Sequence, residues 1–231
     1  MTRSAWRDGL ALVGLALLVL SVWWFAAHAV SRGILALSGD TVAQGRFTGG
    51  VLGNTALYAH MVFGGLITVL AIVQWAGPLR RKWPFIHRVS GRILTLLAFL
   101  AGVGGLVYIV QNGTIGGPEM SAGFALYGVL MVIAAVQTPR MAITRQYERH
   151  RRWAARLIVL CLASWLYRVH YGVLYATLCA EGSDVCMLYT TPEFTGPFDR
   201  IQNWAFYLPY LFLAEIWVRV RRHAPRPVNA P

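Results

Sequence analysis

Charge is scarce in this chain. Only 13% of its 231 residues are charged, and nine of them are acidic. That is about half the charged share of an ordinary soluble domain, which argues against a water-soluble fold. Lysine is almost absent, with Lys82 the one exception among 21 basic residues. The signatures of soluble enzymes are missing as well. There is no phosphate-binding glycine loop, no GxSxG nucleophile turn and no HExxH zinc helix. The loops GGPEM and PEFTG carry carboxylates with no nucleophile to pair with them. No internal repeat is evident, and the only biased tract is the Pro-rich C-terminal tail.

What is present is apolar sequence. Hydrophobic residues make up 57% of the chain, in blocks long enough to cross a bilayer at about 20 residues each. The sequence therefore predicts an all-α, polytopic membrane protein, a single domain over 1–231 with six transmembrane helices. These are expected near 10–30, 54–76, 89–110, 122–137, 153–178 and 201–218, ahead of a flexible tail at 222–231. The first block follows Arg3 and Arg7. Its apolar run is too long for a signal-peptide core, so it reads as an uncleaved anchor.

The formal net charge of +12 raises the question of nucleic acid, which the distribution of charge answers. Seventeen of the 21 basic residues lie in the N-terminus, the segments 79–92 and 139–156, and the tail. Only Arg32, Arg46, Arg168 and Arg200 fall on the other side. This is an orientation signal with both termini cytoplasmic, and the partner is a lipid bilayer, not nucleic acid. Cys179 and Cys186 then fall in an outer loop, where a disulfide is expected to form and persist. Cys161 lies within a helix and reads as an inert buried thiol.

Four histidines fall at two depths. At about 1.5 Å per residue, His60 and His170 lie roughly 9 and 12 Å inside the outer ends of helices two and five. His87 and His150 lie just before helices at the cytoplasmic side. His150 and His170, on one helix, are about 30 Å apart along its axis and cannot share a ligand. The depths pair His60 with His170 as an outer candidate site and His87 with His150 as a weaker inner one. Imidazole is the usual axial ligand of b-type haem, and ionisable groups within a membrane are functional candidates. Gly64, one turn beyond His60, and Gly102, Gly104 and Gly105 would give a porphyrin room. Arg168 would meet a haem propionate or a quinone headgroup. The structural alternative is that small residues serve helix packing and that the histidines only bridge helices. His28 and His223 look incidental.

Two further polar pairings follow from depth. Arg156 and Glu215 lie level at the cytoplasmic side and suit a structural ion pair. Asn203 lies level with Arg168 and suits a hydrogen bond to it or to a histidine.

Several elements together carry a family resemblance. They are AHMVFGGL with its His-x-x-x-Gly opening, QWAGPLRRKWPFIHRVSGR with its H-R-x-x-G-R element, ERHRRWAAR with its H-R-R-W element, Arg168, Asn203 and Glu215. In these the chain resembles the bacterial "predicted membrane protein" family classed as a domain of unknown function, from about Tyr58 to Trp217. Where such members usually read Met-x-Arg, this chain has Ala154-Ala155-Arg156. The resemblance implies a multi-pass membrane protein of a bacterial inner membrane and no known reaction. The histidine layout is also similar to that of di-haem membrane cytochromes, in which the two ligands on one helix lie closer together. The functional expectation is a protein that binds haem b or is linked to quinone in electron transfer. The alternative is a non-catalytic accessory or assembly subunit of a larger membrane complex. A small transporter ranks third, because no broken mid-helix is evident in the sequence. Whether the chain is an enzyme is left open.

Overall fold

The computed structural model describes residues 3–45, 49–179 and 185–223. Every regular element among them is a helix: α1 (Arg3–Leu37), α2 (Thr41–Gln44), α3 (Val51–Trp75), α4 (Gly77–Lys82), α5 (Pro84–Asn112), α6 (Gly117–Ile143), α7 (Tyr147–Leu178), α8 (Val185–Tyr189), α9 (Pro197–Ala205) and α10 (Leu208–His223). Among the described residues, five helices are long and apolar enough to cross a membrane: α3, α5, α6, α7 and the Ala16–Leu37 part of α1. The protein is an all-α, multi-pass membrane protein. The tail expected to be flexible lies outside the described residues from 224 onward, as do Arg46, Glu181 and Asp184.

The apolar blocks mark the helices well, and the helices overrun them. The basic turn after α3 is itself helical as α4. The fourth helix does not stop at Thr138-Pro139 but continues to Ile143. Pro139 removes one backbone donor from α6. Two nearby side chains bind carbonyls of that turn. Thr138 Oγ1 donates to Ala134 O at 2.7 Å, and His150 Nδ1 lies 2.9 Å from Thr138 O.

The sixth expected crossing is divided between α9 and α10, interrupted at Phe206-Tyr207. The cause is Pro209, which cannot donate to the carbonyl one turn back and disfavours helical geometry in the residue before it. The chain restarts when Leu211 N donates to Tyr207 O at 2.9 Å. A broken helix is thus present where the apolar pattern predicts a continuous one.

The chain forms two compact units, Met1–Asn112 and Gly113–Pro231. In the first, α3 packs against both α1 and α5, and glycines sit at the crossings. A Cβ on Gly33 of α1 would lie 2.7 Å from Tyr58 O, and one on Gly65 of α3 would lie 2.8 Å from Ala26 O. The helices approach through backbone, as small-residue membrane interfaces do. At one end of this unit Ala36, Ala43 and Tyr58 form a buried cluster with Leu57 and Met61. In the second unit, α6 and α7 pack together with α9 and α10 against them. Phe124, Tyr127, Tyr167, Phe206 and Tyr207 form an aromatic core there, with centroid separations of 4.8–5.6 Å.

Candidate functional site

His60 is held by the neighbouring helix. Its Nδ1 lies 2.6 Å from the carbonyl oxygen of Ala101 on α5. A carbonyl only accepts, so Nδ1 carries the proton and Nε2 is the basic nitrogen of the neutral ring. The approach depends on two glycines. A Cβ on Gly104 would lie 2.9 Å from Ala56 O, and one on Gly105 would lie 3.2 Å from His60 Nδ1. The space above these glycines is filled by α3. Gly64 differs, since a Cβ there would meet nothing within 4 Å.

His87 sits in the first turn of α5, its N–H donating to Trp83 O at 3.1 Å and its carbonyl accepting from Gln74 Nε2 at 3.2 Å. Fourteen residues separate it from Ala101, about 21 Å along the helix. His60 and His87 therefore do not meet.

In the second unit, His150 and His170 lie on one continuous helix, α7. His150 Nδ1 donates to Thr138 O, which leaves Nε2 as its basic nitrogen. His170 is bound on both sides. Its Nδ1 lies 2.9 Å from Gln202 Oε1, and its Nε2 accepts from the Tyr210 hydroxyl at 2.7 Å. The imidazole stacks on the Tyr210 ring with centroids 5.8 Å apart. It ties α7 to α9 and α10 on either side of the Phe206-Tyr207 break. Arg168 is exposed, and its Nη1 donates to Ser164 O at 3.1 Å, one turn back along α7.

The residue that bonds His170 is Gln202, not its neighbour Asn203. Asn203 is buried with its Oδ1 lacking a hydrogen-bond partner among the described residues. Depth along the helix places both residues at the right level. Only the rotational position of α9 separates them.

A second cluster was not visible as such in the sequence. Asp199 is fully buried. Its carboxylate accepts from Tyr171 OH at 2.5 Å, Thr190 Oγ1 at 2.7 Å, Thr191 N at 3.1 Å and Gly196 N at 2.9 Å. The last two bonds order the loop before α9 and cap its first turn. The available signal was Gly196-Pro197 with an acid two residues on, which marks a helix start. A disulfide joins Cys179 and Cys186 beside this cluster in the chain, while Cys161 is free and buried.

Arg156 and Glu215, level by depth, form an ion pair at 2.7 Å. His28 is exposed, and the side chain of His223 lies outside the described residues. No group of three or more histidine, cysteine or acidic side chains comes together among the described residues. A cofactor here would rest on imidazoles taken singly or in pairs.

Residues 57–218 match the model of the family described as "Predicted membrane protein (DUF2306)". The chain belongs to this family. The matched span begins three residues before His60 and ends three after Glu215, so the DUF2306 region holds every candidate residue described above. No curated protein and no solved structure matches the chain. Membership in DUF2306 carries a membrane location and no assigned chemistry.

Proposed function

We propose that this DUF2306 member is a redox protein of the bacterial inner membrane that binds haem, or exchanges electrons with a quinone, through histidines held between its helices. One observation carries the reading. His60 and His150 each donate Nδ1–H to a backbone carbonyl, of Ala101 and Thr138 respectively. Metal-ligating histidines almost always commit their second nitrogen this way, which fixes the tautomer and raises the basicity of the other. A haem, when bound, supplies one-electron chemistry. The chain's own part is to hold Nε2 in a fixed orientation between two packed helices, α3 and α5 for His60 and α6 and α7 for His150. Arg168, on α7 two residues before His170, would meet an anionic group such as a propionate or a quinone headgroup.

The alternative, a non-catalytic accessory or assembly subunit of a larger membrane complex, is favoured by a different observation. Both ring nitrogens of His170 are used inside its own unit. That arrangement suits an interhelical bridge and needs no ligand.

Absorption spectra of protein purified from haem-replete cells test the choice. The redox reading expects sharp reduced bands, diminished or shifted by His60→Ala and by His150→Ala, each at its own site, and unchanged by His28→Ala. Protein that stays colourless after haem reconstitution, binds no quinone and purifies with larger subunits overturns the redox reading in favour of the accessory one.

A further inference from the structure

The face of α5 that turns away from α3 has an unusual composition. Leu94, Thr95, Ala98, Ala101 and Gly102 are the buried face of this helix. On the opposite side, Phe85, Val89, Leu96, Phe99 and Val103 are exposed. Their spacing makes one continuous stripe at helical period. Arg92 lies on that stripe between Val89 and Leu96, and Arg88 lies one turn before it. Both are exposed. Two guanidiniums at i and i+4, about 5–6 Å apart at Cβ, repel each other on a bare helix.

Nothing within the described protein offsets them. No acidic residue occurs between Asp40 and Glu119, and neither arginine forms an ion pair among the described residues. Arg88 Nε donates to Pro84 O at 3.3 Å, which leaves its two terminal amino groups for another acceptor. The second basic segment behaves differently. There Arg151 pairs with Glu148, and Arg149 donates to Gln146 Oε1 at 2.7 Å. Trp83 is exposed beside Arg81 and Lys82 at the head of the stripe, as aromatic residues are at the headgroup level of a membrane.

We infer that α5 carries a binding site for an anionic glycerophospholipid of the phosphatidylglycerol type, its phosphate held between Arg88 and Arg92 and an acyl chain lying along Leu96, Phe99 and Val103. A phosphodiester presents the acceptor oxygens that paired guanidiniums recognise. The apolar stripe continuing below the cations selects a lipid over a soluble phosphate. The inference is independent of the redox reading.

Native mass spectrometry of the full chain in detergent tests it, with titrations of phosphatidylglycerol and of phosphatidylcholine bearing the same acyl chains. Phosphatidylglycerol is expected to bind more tightly. R88Q/R92Q is expected to lower that affinity about twenty-five-fold, at roughly fivefold for each guanidinium near an anionic surface. R149Q/R151Q removes the same charge elsewhere and should leave the affinity unchanged. R88K/R92K keeps both charges and should still prefer phosphatidylglycerol, which guards against a folding artefact in the glutamine variant. Equal binding of the two lipids, or an equal loss in R149Q/R151Q, would overturn the site. So would competition by acyl-free glycerophosphoglycerol as strong as that of the lipid.

Discussion

Arg156 of α7 and Glu215 of α10, 59 residues apart in the chain, meet through two hydrogen bonds to one carboxylate oxygen. Nε and Nη2 of Arg156 lie 3.2 and 2.7 Å from Oε2. The guanidinium carbon also lies 4.6 Å from the Trp153 ring centroid. Arg219 reaches the other carboxylate oxygen at 3.4 Å from one turn along α10. The pair is therefore fixed in orientation from several sides.

Its side chains are 28% and 31% exposed, between the regimes of surface and fully buried pairs. Glu215→Ala should cost about 1–3 kcal/mol, more than a surface pair and less than a buried one. Arg156→Ala/Glu215→Ala should recover part of that loss, because the half-buried guanidinium is no longer left unpaired and the remaining Arg219 is 75% exposed. Thermal unfolding in detergent measures both. Strict additivity of the single losses would show that the pair contributes nothing as a pair.

The glycines of the first unit separate by what lies over them. Gly104→Ala puts a methyl 2.9 Å from the backbone oxygen of Ala56. Backbone cannot rotate aside, so α3 and α5 must separate, at about 1–3 kcal/mol. Gly64→Ala meets nothing within 4 Å and should be neutral or stabilise by up to about 1 kcal/mol through helix propensity. Melting temperatures of the two variants check the contrast. Equal effects would mean that the α3–α5 crossing is not as close as described.

Asp199 joins the loop before α9 to α7 through four donors. Asp199→Ala leaves those donors without their acceptor in a buried place and should cost about 3 kcal/mol or more. Asp199→Asn keeps the shape and part of the bonding and should cost less. Hydrogen exchange should show faster opening over 185–199 in the alanine variant. Unchanged exchange there would mean that the disulfide between Cys179 and Cys186 alone holds the loop.

Much of this arrangement is legible without coordinates, and the part that is not has a geometric reason. Apolar blocks locate the membrane helices because only a helix satisfies the backbone inside lipid. Their flanks are polar, so the sequence stops the helices early. The Ser31–Leu37 end of α1 and the Tyr147–Arg152 start of α7 are helical beyond the expected bounds of 10–30 and 153–178. Depth along an axis is readable from residue counts, which is why Arg156 can be set level with Glu215. Rotation about the axis is not readable for a helix whose partner is unknown. That is why Asn203 stands out in the sequence while Gln202 makes the bond to His170. The break before Pro209 is masked by the apolar residues on both sides of it. Gly104 and Gly105 read equally well as room for a cofactor or as a close crossing, and the choice depends on which residue faces them.

The interruption at Phe206-Tyr207 bears on how the protein is built by the cell. The nine residues of α9 and the sixteen of α10 span about 14 and 24 Å, each short of the roughly 30 Å hydrocarbon layer. Glu215 and Arg219 make α10 still less able to partition on its own. What favours its entry is already in place by then: the Gly123 carbonyl for the Tyr207 hydroxyl at 3.0 Å, and Arg156 for Glu215. The α9–α10 segment is thus dependent cargo of the α6–α7 hairpin. The ribosome must deliver that hairpin to the bilayer before the C-terminal segment has anywhere to go.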